Sequence, residues 1–508
     1  MQLSILKKII SLNLFTNLFY KMSLKQKAVK GVIWSAMENW GRQAISFGVF
    51  FLLARLLGPE TFGLVALASV FLAFIQVFLD QGLSQAIVQR HELEEEHLDT
   101  AFWTNIGISL LLTTVSIACA GLVADFYKEP QLTAIIRCLS LTFVFGSVSG
   151  VQGAMLSRQL AFKALAIRSL IAMLIGGIVG VTMAFMGFGV WSLVGQQLAN
   201  SLAQALVLWW VSDWRPGFKV SKKHFKELFS FGINVLGIRI LDFFNRRSDD
   251  FLIGYFLGPV ALGYYSIAYR LLLTMTQLLT SITTKVAMPT FSRLQQDLPR
   301  LRRGFYTAIQ FTSLVSFPAF LGMSVLAPEL VRALFGEKWL PSIPVMQILA
   351  FIGILHSVYY FNATIIMAMG KPSWKLGLNC LNAITNVIGF YIAVRWGIVA
   401  VAASYVIRGY VLSPLPLLVI RKLINIDLKT YFSQFIPPVI GSMGMVATIL
   451  ITKYLLHERL NLYALLTLCV AISIVVYTMI LALIAPKLSQ QVIGLAQSVV
   501  PLGKTKKL

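Results

Sequence analysis

Apolar runs of about 20 residues, the length that carries an α-helix across the hydrocarbon core of a bilayer, recur along nearly the whole chain. They fall at 32–56, 62–78, 101–126, 132–152, 165–186, 190–211, 228–257, 262–288, 305–326, 343–369, 376–394, 398–420, 435–455 and 462–484, about 14 spans in all. In lipid every backbone N–H and C=O must be satisfied internally, which leaves helices and closed barrels. The short alternating strands of a barrel are absent from the sequence. The fold class expected is therefore an all-α, polytopic membrane protein. Composition agrees: charged residues make up 12% of the chain, against roughly a quarter in soluble domains, and no stretch is polar enough, for long enough, to fold in water.

The basic residues are arranged by side. With the N-terminus placed inside, the inner loops hold Lys25, Lys27 and Lys30, then Arg158 and Lys163, then Arg215, Lys219, Lys222, Lys223 and Lys226. The clusters Arg293, Arg300, Arg302 and Arg303, then Lys371 and Lys375, then Arg421, Lys422 and Lys429 continue the pattern, and Lys504, Lys506 and Lys507 close it. The outer loops hold fewer: Arg55, Lys128, Arg332, Lys338, Arg395, Lys453 and Arg459. The acidic inner loop at 92–99 does not disturb this assignment, because orientation follows Lys and Arg. Both termini are thus expected in the cytoplasm, with the chain in the inner membrane of a bacterium. The formal net charge of +23 is a topology signal; scattered over many short loops, it does not make a nucleic-acid surface. The four cysteines lie inside apolar runs without CxxC or Cys/His spacing, so neither a disulfide framework nor a metal site is expected. Residues 1–21 contain no span and suit a position on the membrane surface.

A repeat divides the spans. Leu57-Gly58-Pro59 with Gly63 returns as Leu257-Gly258-Pro259 with Gly263, an offset of 200 residues that also brings Phe51-Leu52 onto Phe251-Leu252. Gly can take the left-handed turn that closes one helix, and Pro cannot extend it. An offset of six spans gives both copies the same orientation, as in transporters built from parallel repeats with substrate near the midplane. The expected organisation is an N-terminal extension at 1–21, an N-lobe at 22–212, a cytoplasmic linker at 213–226, a C-lobe at 227–422, an accessory helix pair at 431–486 and a cytoplasmic tail at 487–508. The two six-helix lobes are expected to be pseudo-symmetric about a central cavity.

Several segments, in order, resemble a known family. They are the Trp34 region leading to Ala54-Arg55-Leu56-Leu57-Gly58-Pro59, then Gly82-Leu83-Ser84-Gln85-Ala86, then Ser157-Arg158-Gln159 with Phe162. The second half adds Asp250 through Gly258-Pro259, Gly263-Tyr264-Tyr265-Ser266, Pro289 with Ser292-Arg293-Leu294, Phe335-Gly336 with Trp339, and Gly370-Lys371-Pro372. Together they resemble the polysaccharide-transporter branch, the Wzx-type flippases, of the multidrug/oligosaccharidyl-lipid/polysaccharide (MOP) exporter superfamily. The resemblance implies a MATE-like fold and a flippase for undecaprenyl-pyrophosphate-linked oligosaccharides, serving O-antigen or exopolysaccharide assembly beside polysaccharide polymerase and chain-length proteins. Lipid II flippases and drug antiporters share that fold, so the resemblance alone leaves the cargo class open.

Charges inside the spans are costly, about 2.5–3.5 kcal/mol each at a helix centre on insertion scales, and usually face a partner or water. Glu38 and Arg42 share one helical face, and Arg239, Asp242, Arg246 and Asp250 follow the three-four spacing of another. Arg247, Asp249, Arg270 and Arg408 also lie inside the spans, and Lys285 falls near the cytoplasmic mouth. Arg42, Arg239, Arg246 and Arg270 are the candidate pyrophosphate-binding residues, because guanidinium forks pair with phosphate oxygens. The alternative is internal salt bridging along 239–250. Glu38, Asp242, Asp250, Gln197, Asn200 and Asn382 are candidates for sugar contact or ion coupling, with helix–helix adhesion as the competing role of the amides Gln196, Gln197, Asn200, Gln204, Asn379, Asn382 and Asn386. His356 suits a satisfied core position, with a proton relay as the competing role. No phosphate-binding Gly-rich loop, zinc motif or nucleophile elbow occurs, so no cofactor is expected and the chain reads as a non-enzyme. The competing classes are a drug antiporter, which calls for an acidic aromatic cavity, and a membrane glycosyltransferase or ligase, which calls for large carboxylate-bearing loops.

Overall fold

The computed structural model describes the backbone of residues 24–79, 87–88, 94–219, 221–486, 488 and 490, and the side chains of these residues except 24–39, 222–236, 238 and 281–286. The extension at 1–21, the segment Gly82-Leu83-Ser84-Gln85-Ala86 and most of the tail at 487–508 lie outside the described residues.

Among the described residues the chain is helical, with no strand: α1 Leu24–Leu56, α2 Pro59–Leu79, α3 Glu95–Tyr127, α4 Gln131–Arg158, α5 Phe162–Phe185, α6 Val190–Val211, α7 Lys222–Arg293, α8 Leu298–Val325 and the short α9 Ala327–Leu334. A 3-10 turn, Glu337–Ser342, leads to α10 Ile343–Ala368, α11 Pro372–Ala393, α12 Ile398–Leu412, α13 Pro414–Ile424, α14 Leu428–Ser433, α15 Ile436–Leu456 and α16 Leu462–Ile484. The expected spans fall on these helices, with two differences. The spans at 228–257 and 262–288 are two arms of α7, kinked at Gly258, whose φ of 81° only glycine adopts without strain. The span at 398–420 divides at Ser413 into α12 and α13, because Pro414 has no N–H to continue the ladder. Eleven segments among the described residues are long and apolar enough to cross a membrane. Helix α6 is outside that set because its amide stripe lowers its hydropathy, and Arg239–Thr280 counts once although it holds parts of both arms. The chain is a multi-pass membrane protein.

The chain divides into two compact units. Unit 1 comprises Met1–Leu57 and Ala68–Ile240; unit 2 comprises Gly58–Leu67 and Leu241–Leu508. In unit 1, α5 packs on α6 and α1, and α3 on α4. Small residues on α5 permit this: a β-carbon on Gly176 would lie 2.8 Å from the Gln196 carbonyl oxygen, and one on Gly180 2.8 Å from Gln196 Cβ. Gly177 takes the side chain of Val49 from α1. Where lipid is as apolar as leucine, such close backbone approach is what holds helices together. The hydroxyls of Ser109 and Ser147 add a 2.8 Å bond between α3 and α4.

The connection after α6 is held, not loose. The Gly217 N–H donates to Asp99 Oδ1 at 2.9 Å, and its carbonyl accepts from Trp103 Nε1 at 2.7 Å. The Ser221 N–H donates to Thr100 Oγ1 at 3.1 Å, while Phe218 stacks on Trp103. Acidic Glu95 and Glu96 occupy the first turn of α3, where the helix dipole favours negative charge; the loop just before lies outside the described residues.

Unit 2 is built around α8, α10 and α12. One of its core clusters includes Phe291, Phe305, Ile309, Phe317, Phe361, Ile365 and Ile420. Polar locks cross it: Ser357 donates to Ser316 at 2.8 Å, and the Tyr477 hydroxyl of α16 donates to the Leu314 carbonyl at 2.6 Å. Helix α15 is tied to α9 by Lys453, which donates to Glu329 at 2.8 Å and to the Val325 carbonyl at 3.1 Å.

Candidate functional site

In unit 1, Gly41 faces Leu170 of α5 and Val49 faces Gly177, which turns that side of α1 toward α5. The next residue, Arg42, is exposed. The Glu38 side chain lies outside the described residues. Arg239, on the first arm of α7, is half-buried. On α6, Asn200 packs its Cβ against Gly176 and accepts from Gln204 Nε2 at 2.5 Å, whereas Gln197 is exposed. The amides of α6 therefore divide between helix adhesion and exposure.

In unit 2 the charged face of α7 also divides. Asp242 and Arg246 are exposed. Asp250 is buried and accepts a 2.9 Å ion pair from Arg247, one turn before it. Asp249 is buried as well and accepts from the Tyr265 hydroxyl at 2.9 Å. The three-four spacing had grouped Asp250 with Arg246; the structure pairs it with Arg247. Arg270, on the second arm, is exposed. The side chain of Lys285 lies outside the described residues.

Around Arg246 the other helices of unit 2 supply a polar layer. The Asn386 amide donates to Asn245 Oδ1 at 3.3 Å, and Asn245 donates to the Asn379 carbonyl at 3.2 Å, joining α7 to α11. Arg408 of α12 donates to Asn382 Oδ1 at 2.9 Å and lies over the Tyr405 ring at 5.5 Å. The Tyr405 hydroxyl is 3.4 Å from His356 Nε2. Sequence reasoning noted Arg408 and left it out of the candidate set. The signal was its three-residue distance from Tyr405 on one helical face, which places guanidinium and phenol together. His356 is half-buried, with its ring edge-on to Tyr405 at 5.8 Å.

The chemistry on offer is anion recognition. In unit 2, Arg246 and Arg270 are exposed and Arg408 is held half-buried by an amide and a phenol; guanidinium groups so placed can pair with phosphate oxygens. Among the described residues no group of His, Cys, Asp and Glu is arranged to hold a metal ion.

The helices and their apolar lengths define, by class, a multi-pass membrane protein. It belongs to the polysaccharide biosynthesis protein family, whose model matches residues 52–344. The resemblance seen in the sequence segments is thereby borne out. The chain is similar to the teichuronic acid biosynthesis protein TuaB of Bacillus subtilis, 26% identical over 84% of this chain and 89% of TuaB. It is also similar to the lipopolysaccharide biosynthesis protein WzxC of Escherichia coli, 28% identical over 70% of this chain and 73% of WzxC. Among solved structures, the lipid II flippase MurJ in an inward closed conformation superposes with a TM-score of 0.74 at 15% identity, over 90% of this chain and 99% of MurJ. An inward-facing MATE family transporter of the MOP superfamily superposes with a TM-score of 0.58 at 17% identity, over 78% of this chain and 98% of the transporter. At these identities the two structures establish the fold, which is MATE-like.

Proposed function

We propose that this protein is a flippase that moves undecaprenyl-pyrophosphate-linked oligosaccharide repeat units from the cytoplasmic to the periplasmic leaflet of the inner membrane, by alternating access. The repeat units feed lipopolysaccharide O-antigen or exopolysaccharide assembly, with a polysaccharide polymerase and chain-length proteins as downstream partners. Both termini face the cytoplasm in this reading, and the lobes are residues 22–212 and 227–422 with the accessory pair at 431–486. The protein moves its ligand without making or breaking its bonds, so it is not an enzyme. The observation that carries the proposal is the set of arginines at membrane depth in a polysaccharide-family chain of MATE-like fold.

Arg42, Arg239, Arg246 and Arg270 receive the pyrophosphate, and Gln197 and Asn382 offer amides to sugar hydroxyls, while Asn200 holds α6 against α5. A dianion in hydrocarbon is prohibitively costly, and several guanidinium groups lower that barrier without covalent chemistry. An inside-negative potential contributes about 2.3 kcal/mol per charge per 100 mV. A pyrophosphate of about two negative charges then gains roughly 4–5 kcal/mol per 100 mV on moving outward, enough to drive net transfer without ATP.

The test is a chromosomal deletion in the native host. Lipid-linked repeat units should accumulate on the cytoplasmic leaflet, surface polysaccharide should disappear, and a plasmid copy should reverse both. Loss of polysaccharide without accumulation of the lipid-linked unit would instead point to a synthetic step and overturn the proposal.

A further inference from the structure

The two Leu-Gly-Pro segments, 200 residues apart in sequence, meet in unit 2. A β-carbon built on Gly63 would overlap the carbonyl oxygen of Pro259 and come within 2.9 Å of Pro259 Cα. The reverse contact repeats it: a β-carbon on Gly263 would overlap the carbonyl oxygen of Pro59 and come within 3.1 Å of Pro59 Cα. Each glycine thus sets its α-carbon against the other motif's proline carbonyl, the geometry of a Cα–H···O contact between closely packed helices. Neither Gly63 nor Gly263 has a positive φ. Closeness, not backbone freedom, is what demands glycine at both positions. Trp339, buried at 0% exposure, sits on the same junction. Its ring meets Phe62 edge-on at 5.5 Å and Tyr264 edge-on at 6.1 Å, so one indole touches a residue beside each glycine.

In the proposed topology both motifs lie at the outer ends of their helices, where an exported headgroup has to leave. Backbone in contact with backbone leaves no passage there. We infer that this reciprocal Gly63–Pro259 and Gly263–Pro59 contact, capped by Trp339, is the exporter's outer gate in its closed state, and that Gly63 and Gly263 are gating residues of the transport cycle. The inference rests on the flippase reading for its direction. Weak Cα–H···O contacts and a single indole suit a junction that closes firmly and parts in every cycle, since few strong bonds have to break. Gly58 and Gly258 belong to the same turns yet have open space around them; they shape the turns and do not form the contact.

The experiment uses full-length protein with Cys119, Cys138, Cys380 and Cys469 replaced by alanine. Leu262→Cys, at a position with 0% exposure beside Gly263, reports on the junction through labelling by a membrane-impermeant maleimide added from the outer side. Adding Gly63→Ala or Gly263→Ala should shift the gate toward open and raise the labelling rate by about tenfold, the ratio an overpacking cost normally produces. Gly58→Ala, with nothing for its methyl to meet and no positive φ, should leave the rate unchanged. A second pair keeps both glycines: Phe62→Cys with Tyr264→Cys, bridged by a cleavable bifunctional thiol reagent, should stop export and recover it on cleavage. Unchanged labelling in well-folded Gly63→Ala and Gly263→Ala, or undiminished export from completely bridged protein, would overturn the gate. Labelling needs no substrate, so it judges the gate even if the flippase reading fails.

Discussion

Replacing Arg246 by alanine is expected to lower polysaccharide export by roughly ten- to a hundredfold, the value of one charged hydrogen-bonding contact expressed as a rate, with normal amounts of protein in the membrane. Arg246 is exposed on α7, so its loss opens no core cavity. Arg246→Lys should restore only part of the export, because an ammonium keeps the charge and loses the bidentate fork. The neighbouring Arg247→Ala should behave differently. It strips the 2.9 Å partner from the buried Asp250, and its main effect should be less folded protein. Export normalised to membrane protein level separates the two. Wild-type export from Arg246→Ala would remove Arg246 from the path of the pyrophosphate.

Breaking the Glu329–Lys453 pair is expected to have the largest effect on stability. Glu329 is 5% exposed and Lys453 is 20% exposed, and they meet at 2.8 Å between α9 and α15. Removing one member of a buried pair leaves an uncompensated charge and costs about 3–5 kcal/mol, whereas an apolar pair of similar volume is often neutral. Lys453→Ala should therefore lower the unfolding temperature of detergent-solubilised protein substantially. The double change Glu329→Leu with Lys453→Met should recover most of the loss. A Lys453→Ala protein as heat-resistant as the wild type would show that the pair holds α15 in place only weakly.

These effects differ in how far the sequence foretold them. The spans were legible because hydrocarbon demands about 20 apolar residues whatever the tertiary structure. The Leu-Gly-Pro repeat was legible too, but its two copies do not behave alike. Gly258 takes the left-handed turn at φ 81°, while Gly58 has no positive φ and its helix is simply ended there. Two identical tripeptides cannot show that difference in sequence. The significance of Gly63 and Gly263 was hidden for the same reason: a glycine required by a neighbour 200 residues away looks, in sequence, like any other. The face of α7 was read by its three-four period, which placed Asp250 with Arg246. The Arg247–Asp250 pair, three residues apart and equally helical in spacing, was the one realised. Periodicity offered both pairings, and burial chose between them. The segment at 213–226 read as a plain linker, because hydrogen bonds to Asp99 and from Trp103, more than 100 residues earlier, leave no local signature.

The central claim is vectorial movement of a pyrophosphate-linked lipid by this protein alone. Purified protein in liposomes, loaded with an undecaprenyl-pyrophosphate oligosaccharide carrying a fluorescent sugar, tests it directly when a potassium gradient and valinomycin set the membrane potential. The account predicts protein-dependent transfer of the label away from the negative side, accelerating as the potential grows, without ATP and greatly reduced in Arg246→Ala. Transfer at the rate of empty liposomes, under either sign of potential and with no added ion gradient able to raise it, would contradict the account.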